Sequence, residues 1–194
     1  MTKAEKTRQY IVEKTAPIFN VKGYAGTSLT DMTEATGLTK GSIYGNFANK
    51  DEVALAAFDH NLNGVQKLIN HEISKQTTMK EKLLVYVTIY ENFLKYPFPE
   101  GGCPILNTAI EADDTHAVLR KKAAGAIVTW KNGIMALIKK GVAAKEFKAD
   151  ANAEQVALTI IAMIEGGIMI AKVTGKEAYR KQVVRSVEQM IQGL

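Results

Sequence analysis

Apolar residues recur every three or four positions almost from end to end of this chain, and nowhere do they alternate over the length of a strand. The pattern predicts an all-α protein of about nine helices. A first helix is expected from about Lys3 to Lys22, with Ile11, Ile18 and Phe19 inward, a kink at Pro17 and Gly23 as a left-handed cap. A second begins at Ser28, where Thr27 or Ser28 caps it and Asp31 completes a capping box. Leu29, Met32 and Ala35 form its inner stripe, and Gly37 stops it. Leu38 is apolar within the turn, and Thr39 is a natural N-cap for the next helix. Helix, tight glycine-containing turn, helix is the layout of a helix-turn-helix.

The remaining pattern is longer-paced. A fourth helix runs from Lys50–Asp51 to about Ser74, with Val53, Ala57, Leu62, Val65 and Leu68 on its apolar side. A fifth spans about Met79 to Lys95. "YPFPEGGCP" then breaks the chain, and Pro104 restarts it as a first-turn proline for a short sixth helix to about Ala112. Three more follow, from about Thr115 to Ala144, Ala153 to Val173 and Lys176 to Gln192, with Gly175 as the last breaker. The organisation is a compact unit over residues 1–50, joined by the fourth helix (51–74) to a larger helical body within 51–194.

"LTKGSIYGNFANKDE", residues 38 to 52, carries the most information. On a wheel of 100° per residue, Ile43 and Phe47 fall together on an inner side. The opposite side holds Gly41 and Gly45, flanked by Ser42, Tyr44 and Asn46, with Lys40 opening the helix. Each glycine inside a helix costs roughly 1 kcal/mol against alanine. Two on the outer face make sense where something must approach the backbone closely, as in a DNA major groove. The flanking groups suit that partner. Lys40 reaches guanine acceptors or phosphate, Asn46 matches an adenine edge, and Ser42 bonds to either kind of base. Tyr44, Lys50, Ser28 and Thr30 suit phosphate contacts.

Charge adds a tilt. The chain has 194 residues and a formal net charge of +5. Residues 1–50 hold seven basic and four acidic side chains, a net of +3, so over half the excess lies in the first quarter. Cys103 is the single cysteine, which excludes an internal disulfide and fits a reducing compartment. The start of the chain is charged rather than apolar, and the most apolar run, Val156 to Ile164, is far shorter than the roughly 20 residues a membrane span needs. The expectation is a soluble cytoplasmic protein without a membrane partner.

"GYAGTSLTDMTEATGLTKGSIYGNFANKDEVALAAF", residues 23 to 58, resembles the DNA-binding domain of TetR/AcrR-type transcriptional regulators. The matching features are Gly23-Tyr24 closing the first helix, Thr27-Ser28 capping the second, Gly37-Leu38 in the turn, "KGSIYGNF" as the third helix and Lys50-Asp51-Glu52 opening the fourth. The resemblance implies DNA contacts at Ser28, Thr30, Thr39, Lys40, Gly41, Ser42, Tyr44, Asn46 and Lys50. The chain departs from the family pattern at Met32-Thr33, Gly45 and Asn46, which bears on the operator sequence.

A single such domain touches few base pairs, so genomic specificity calls for a homodimer on double-stranded operator DNA. The eighth helix is apolar over more than one face and the ninth adds a stripe, so Val156, Ile160, Ile164, Ile168, Val183, Val187 and Met190 are the expected dimer interface. The family resemblance implies that residues 51–194 also bind a small-molecule effector, with Phe58, Tyr86, Tyr90, Phe93, Cys103, Trp130, Met135 and Met163 as candidate contacts. The expected function is a ligand-responsive repressor released from its operator by a small molecule.

"GGCPILNTAIEADD", residues 101 to 114, resembles a segment of a subset of these regulators, some of which sense electrophiles through that cysteine. Cys103 at a helix N-terminus favours thiolate, while Glu100 opposes it; the alternative of a structural cysteine stays open. No phosphate loop, nucleophile elbow or metal-ligand spacing is present, and His60, His71 and His116 are scattered. Neither an enzyme nor a cofactor is expected. A second class remains, a helical small-molecule- or partner-binding protein with lapsed DNA specificity.

Overall fold

The computed structural model describes residues 1–92 and 95–194. Among them are nine α-helices and no strand: α1 Lys3–Gly26, α2 Leu29–Thr36, α3 Lys40–Tyr44, α4 Lys50–Ser74, α5 Met79–Glu91, α6 Pro104–Ala112, α7 Ala117–Ala143, α8 Ala153–Thr174 and α9 Glu177–Gln192. The chain divides into two compact units. One joins Met1–Val65 to Pro99–Ala124, the other Gln66–Phe98 to Gly125–Leu194. The cut therefore falls inside α4 and α7 rather than at residue 50, where the helix-turn-helix pattern ends, and α6 folds with the N-terminal helices.

The first unit closes over Ile11, Ala16 and Phe19 of α1, Met32 of α2, Ile43 and Phe47 around α3, and Val53, Ala54 and Ala57 of α4. Ile43 is fully buried and Phe47 nearly so, as the wheel requires. Ile18 is only half-buried. Capping fixes where the helices begin. Ser28 and Asp31 form a reciprocal capping box, Gly37 ends α2 at φ 67, and Thr39 Oγ1 accepts the Ser42 N–H at 3.2 Å.

Two expectations for the start of the chain change. Pro17 lies within α1, and the break in helical dihedrals comes at Gly23 instead, at φ 74 and ψ 178. That conformation belongs almost only to glycine; it is not the left-handed helical cap expected. The cause is long-range, since the N–H groups of Tyr24 and Ala25 turn toward Glu111 of α6. α3 is also shorter than residues 40–47. Gly45 is its C-cap, donating to the Gly41 carbonyl at 2.9 Å, and the N–H groups of Asn46 and Phe47 both close on Ile43.

In the second unit α8 packs along α9; α8 buries Ile160, Ile164, Gly167, Ile168 and Ala171, and α9 buries Val184, Val187 and Ile191. Gly167 permits the approach, because a Cβ there would lie 3.3 Å from Val183. Arg180 of α9 is buried, pairs with Glu177, and donates to the Glu91 carbonyl at the end of α5. The apolar run expected to end at Glu165 continues as one 22-residue helix, so α8 is long and apolar enough to cross a membrane by length and composition. Its buried stripe is instead matched by α9.

Candidate nucleic-acid interface

α3 presents an outer face with little on it. Gly41 and Gly45 are exposed, and a Cβ built on Gly41 would find nothing nearer than Thr39 Oγ1 at 3.9 Å. At Gly45 it would come 3.1 Å from the Gly41 carbonyl. The open approach is therefore widest at Gly41, whereas Gly45 serves partly to close the helix. Lys40 and Thr39 are exposed at the N-terminal end, and Ser42 is half-buried beside them. Tyr44 is half-buried with its ring against the core of the first unit.

Two expected contacts are engaged internally. Asn46 Nδ2 donates to the Ser42 carbonyl at 2.9 Å, so pairing with an adenine edge requires the amide to leave that bond. The Ser28 hydroxyl accepts the Asp31 N–H at 3.1 Å and donates to Asp31 Oδ2 at 2.8 Å. What α2 offers a phosphate is its exposed Thr30 and the positive end of its helix. Hydrogen bonding from Lys22, then from Ser28, holds the Asp31 carboxyl down to about 2, so it stays ionised and the cap intact.

Residues outside the expected set hold this surface in place. Arg8 donates to the Asn46 carbonyl and to Glu52 Oε1, both at 2.5 Å, and its guanidinium lies 3.9 Å from the centre of the Phe47 ring. Glu52 in turn accepts the Ala48 N–H at 2.7 Å, and these bonds, Ala48 first and Arg8 second, hold its carboxyl below the usual range. Lys50 rests its ammonium 4.5 Å from the Tyr24 ring, and the Tyr24 phenol donates to Asp51. That bond, followed by burial, pushes the phenol up to about 12, so it remains a donor at any physiological pH. Sequence periodicity does not mark the roles of Arg8 and Tyr24, because their side-chain partners are distant along the chain.

Residues 11–57 match the model described as bacterial regulatory proteins, tetR family, and residues 80–187 match the tetracyclin repressor-like C-terminal domain. The chain belongs to the TetR family of transcriptional regulators. It shares 52% of its sequence with a TetR-family regulator from Cytophaga hutchinsonii whose crystal structure covers 100% of this chain and 97% of its own at a TM-score of 0.97. A TetR regulator from Chloroflexus aurantiacus J-10-FL is 35% identical, with a TM-score of 0.93 over 99% of this chain and 97% of that one. The regulator TtgR of Pseudomonas putida is 25% identical over 168 residues, 84% of this chain and 79% of its length. TetR-family proteins are ligand-responsive, DNA-binding regulators of transcription and not enzymes, and the helix-turn-helix described here is that family's DNA-binding element.

The expected effector residues are distributed over the two units. Phe58 and Cys103 lie in the first unit, both buried. Phe58 lines a cavity of only ≈ 20 Å³, room for about one water and no more. Cys103 is 1% exposed at the N-cap of α6, shielded from reagents in solution. In the second unit Trp130 stacks on Tyr90 at 5.4 Å and 19° and on Tyr86 at 6.2 Å and 29°. Burial alone pushes the Tyr86 phenol up to about 12. Met135 lines a separate cleft of ≈ 450 Å³ with Val142 and Ala153, Met163 is half-buried on α8, and Phe93 lies outside the described residues.

The expected dimer set divides as well. Ile160, Ile164, Ile168 and Val187 are buried within the single chain; Val156, Val183 and Met190 are half-buried. Leu158, Ala162, Met169 and Val173 share the side of α8 left to solvent, Val173 82% exposed. Among the described residues no group of three or more His, Cys, Asp or Glu could hold a metal ion.

Proposed function

We propose that this TetR-family regulator is a homodimeric repressor that grips double-stranded operator DNA with α3 in the major groove and releases it when a small molecule binds the second unit. The observation that carries the DNA geometry is the outer face of α3, open at Gly41 and flanked by Lys40, Thr39 and Ser42. The match of residues 80–187 to a repressor-like C-terminal domain favours repression over activation. Acting on DNA, the protein would work in the cytoplasm with no membrane partner.

The dimer surface we infer is the solvent side of α8, Leu158, Ala162, Met169 and Val173, with the half-buried Val183 and Met190 of α9. Two copies related by a two-fold axis would cover this stripe with itself. The effector is assigned to the aromatic stack of α5 and α7. Trp130 Nε1 is buried and has no hydrogen-bond partner among the described residues, and a buried donor left unpaired there favours a ligand that supplies the acceptor. A flat, largely apolar molecule bearing a carbonyl or similar oxygen fits that chemistry.

A gel shift with DNA upstream of the protein's own gene tests the repressor, alongside its mass in solution. Retardation by a dimer, lost in Met169→Glu, is expected. No retardation even on random DNA at low salt, where phosphate contacts alone suffice, would favour the lapsed DNA-binding alternative.

A further inference from the structure

Cys103, Asn107 and Glu111 recur every four residues, so they share one face of α6. That face meets the C-terminal end of α1. Asn107 Nδ2 donates to the carbonyls of Asn20 and Gly101, both at 3.0 Å. Asn20 Nδ2 answers with bonds to the carbonyls of Glu100 at 2.6 Å and Gly102 at 2.9 Å. One turn further on, the two oxygens of Glu111 accept the N–H groups of Tyr24 and Ala25, each at 2.7 Å. Gly23 makes room, because a Cβ there would collide with that carboxylate. The segment thus docks α6 on α1.

Glu111 differs from its neighbours in what it holds. Its two bonds fix the corner between α1 and α2, and at that corner stands Tyr24. The Tyr24 ring carries the Lys50 ammonium, its phenol donates to Asp51 at the start of α4, and the edge of His116 packs on it at 4.7 Å. A negative charge in this unit works against attraction of DNA, so its use is geometric. One ionised carboxylate satisfies two adjacent N–H groups with charge-assisted bonds, which a neutral amide cannot do.

We propose that Glu111 is a positioning residue for DNA binding: by clamping the Tyr24 and Ala25 N–H groups it sets Tyr24 so that Lys50 faces the phosphate backbone. Glu111 touches no DNA. The proposal rests on the assignment of Lys50 to a phosphate. A purely structural α6 would make Glu111 and Asn107 equivalent, whereas a positioning role couples Glu111 alone to Lys50.

The test is a pair of double-mutant cycles read by fluorescence anisotropy on a random-sequence duplex at about 50 mM salt and above, where phosphate contacts dominate. Lys50→Ala should weaken binding and lower the slope of log K against log salt by about 1. Glu111→Gln should weaken binding about fivefold in the parent protein and less than about twofold in the Lys50→Ala background. Asn107→Ala should change binding by the same factor in both backgrounds. Equal factors for Glu111→Gln in the two backgrounds overturn the proposal while leaving the Lys50 contact standing. No effect of Lys50→Ala overturns that contact and the proposal with it. Melting curves establish that each protein is folded. Should Glu111→Gln unfold, Gly23→Ala breaks the same clamp from the α1 side and enters the same cycle.

Discussion

Two glycine-bearing segments, residues 40–47 and 101–111, look alike in the sequence and work in opposite ways. At Gly41 the backbone dihedrals are helical and the missing side chain leaves open space on an exposed face. At Gly101 φ is 85, and a Cβ would lie 3.0 Å from the Asn20 carbonyl. The first glycine keeps a place empty for something outside the molecule. The second lets two parts of the chain touch. A glycine in a sequence signals close approach, and only the structure says whether the approaching body is a partner or the protein itself.

The largest expected effect separates the two. Gly41→Leu should reduce operator affinity more than about 100-fold, as bulk enters the groove-facing side. Its melting temperature should hold or rise, because a better helix former contributes up to about 1 kcal/mol. Tight binding by this variant, measured by gel shift, would mean that α3 meets DNA through another face. Gly101→Ala should do the reverse. Its strained dihedral and crowded Cβ should cost roughly 1–3 kcal/mol in urea denaturation, while the folded protein binds DNA far better than Gly41→Leu does.

Smaller effects sharpen the outward segment. Lys40→Ala should weaken operator and random DNA alike and lower the salt slope by about 1 if Lys40 meets phosphate. A loss confined to the operator would assign it to a guanine instead. The smallest change concerns Asp31. Its carboxyl is held down from 3.8 to about 2 in the folded protein, so the stability it contributes is present above about pH 4 and fades as the pH falls toward 2. Asp31→Asn should melt at a lower temperature than the parent at neutral pH. The difference should shrink across that window.

How much of this was legible in the sequence depended on range. The caps at Ser28 and Thr39, the stop at Gly37 and the inward pair Ile43 and Phe47 are local rules, and the structure follows them. An interruption was expected at Gly23, but its extended ψ was not legible, because the partner of the turn, Glu111, is 87 residues from Tyr24. Periodicity identified α8 as apolar but could not say that Ile160 and Ile164 are buried while Leu158 and Met169 look outward. The composition of the body named aromatic residues without their neighbours, so the stacking of Trp130 on Tyr86 and Tyr90 was not legible. The signal for Glu111 is present in its four-residue spacing from Asn107 and Cys103, which places all three on one face of α6.

Arg8 shows what a charge count hides. Along the chain it is one of seven cations that tilt the first fifty residues toward DNA. In the fold its guanidinium faces the Asn46 carbonyl, the Glu52 carboxylate and the Phe47 ring at once. It is a joint between the start of the chain and both ends of the α3–α4 turn. Lysine at this position would leave the net charge unchanged and keep one contact of the three, since an ammonium has neither the planar fork nor the face that stacks. Two proteins with identical electrostatic fields at a distance would then differ in how firmly the groove-reading helix is held.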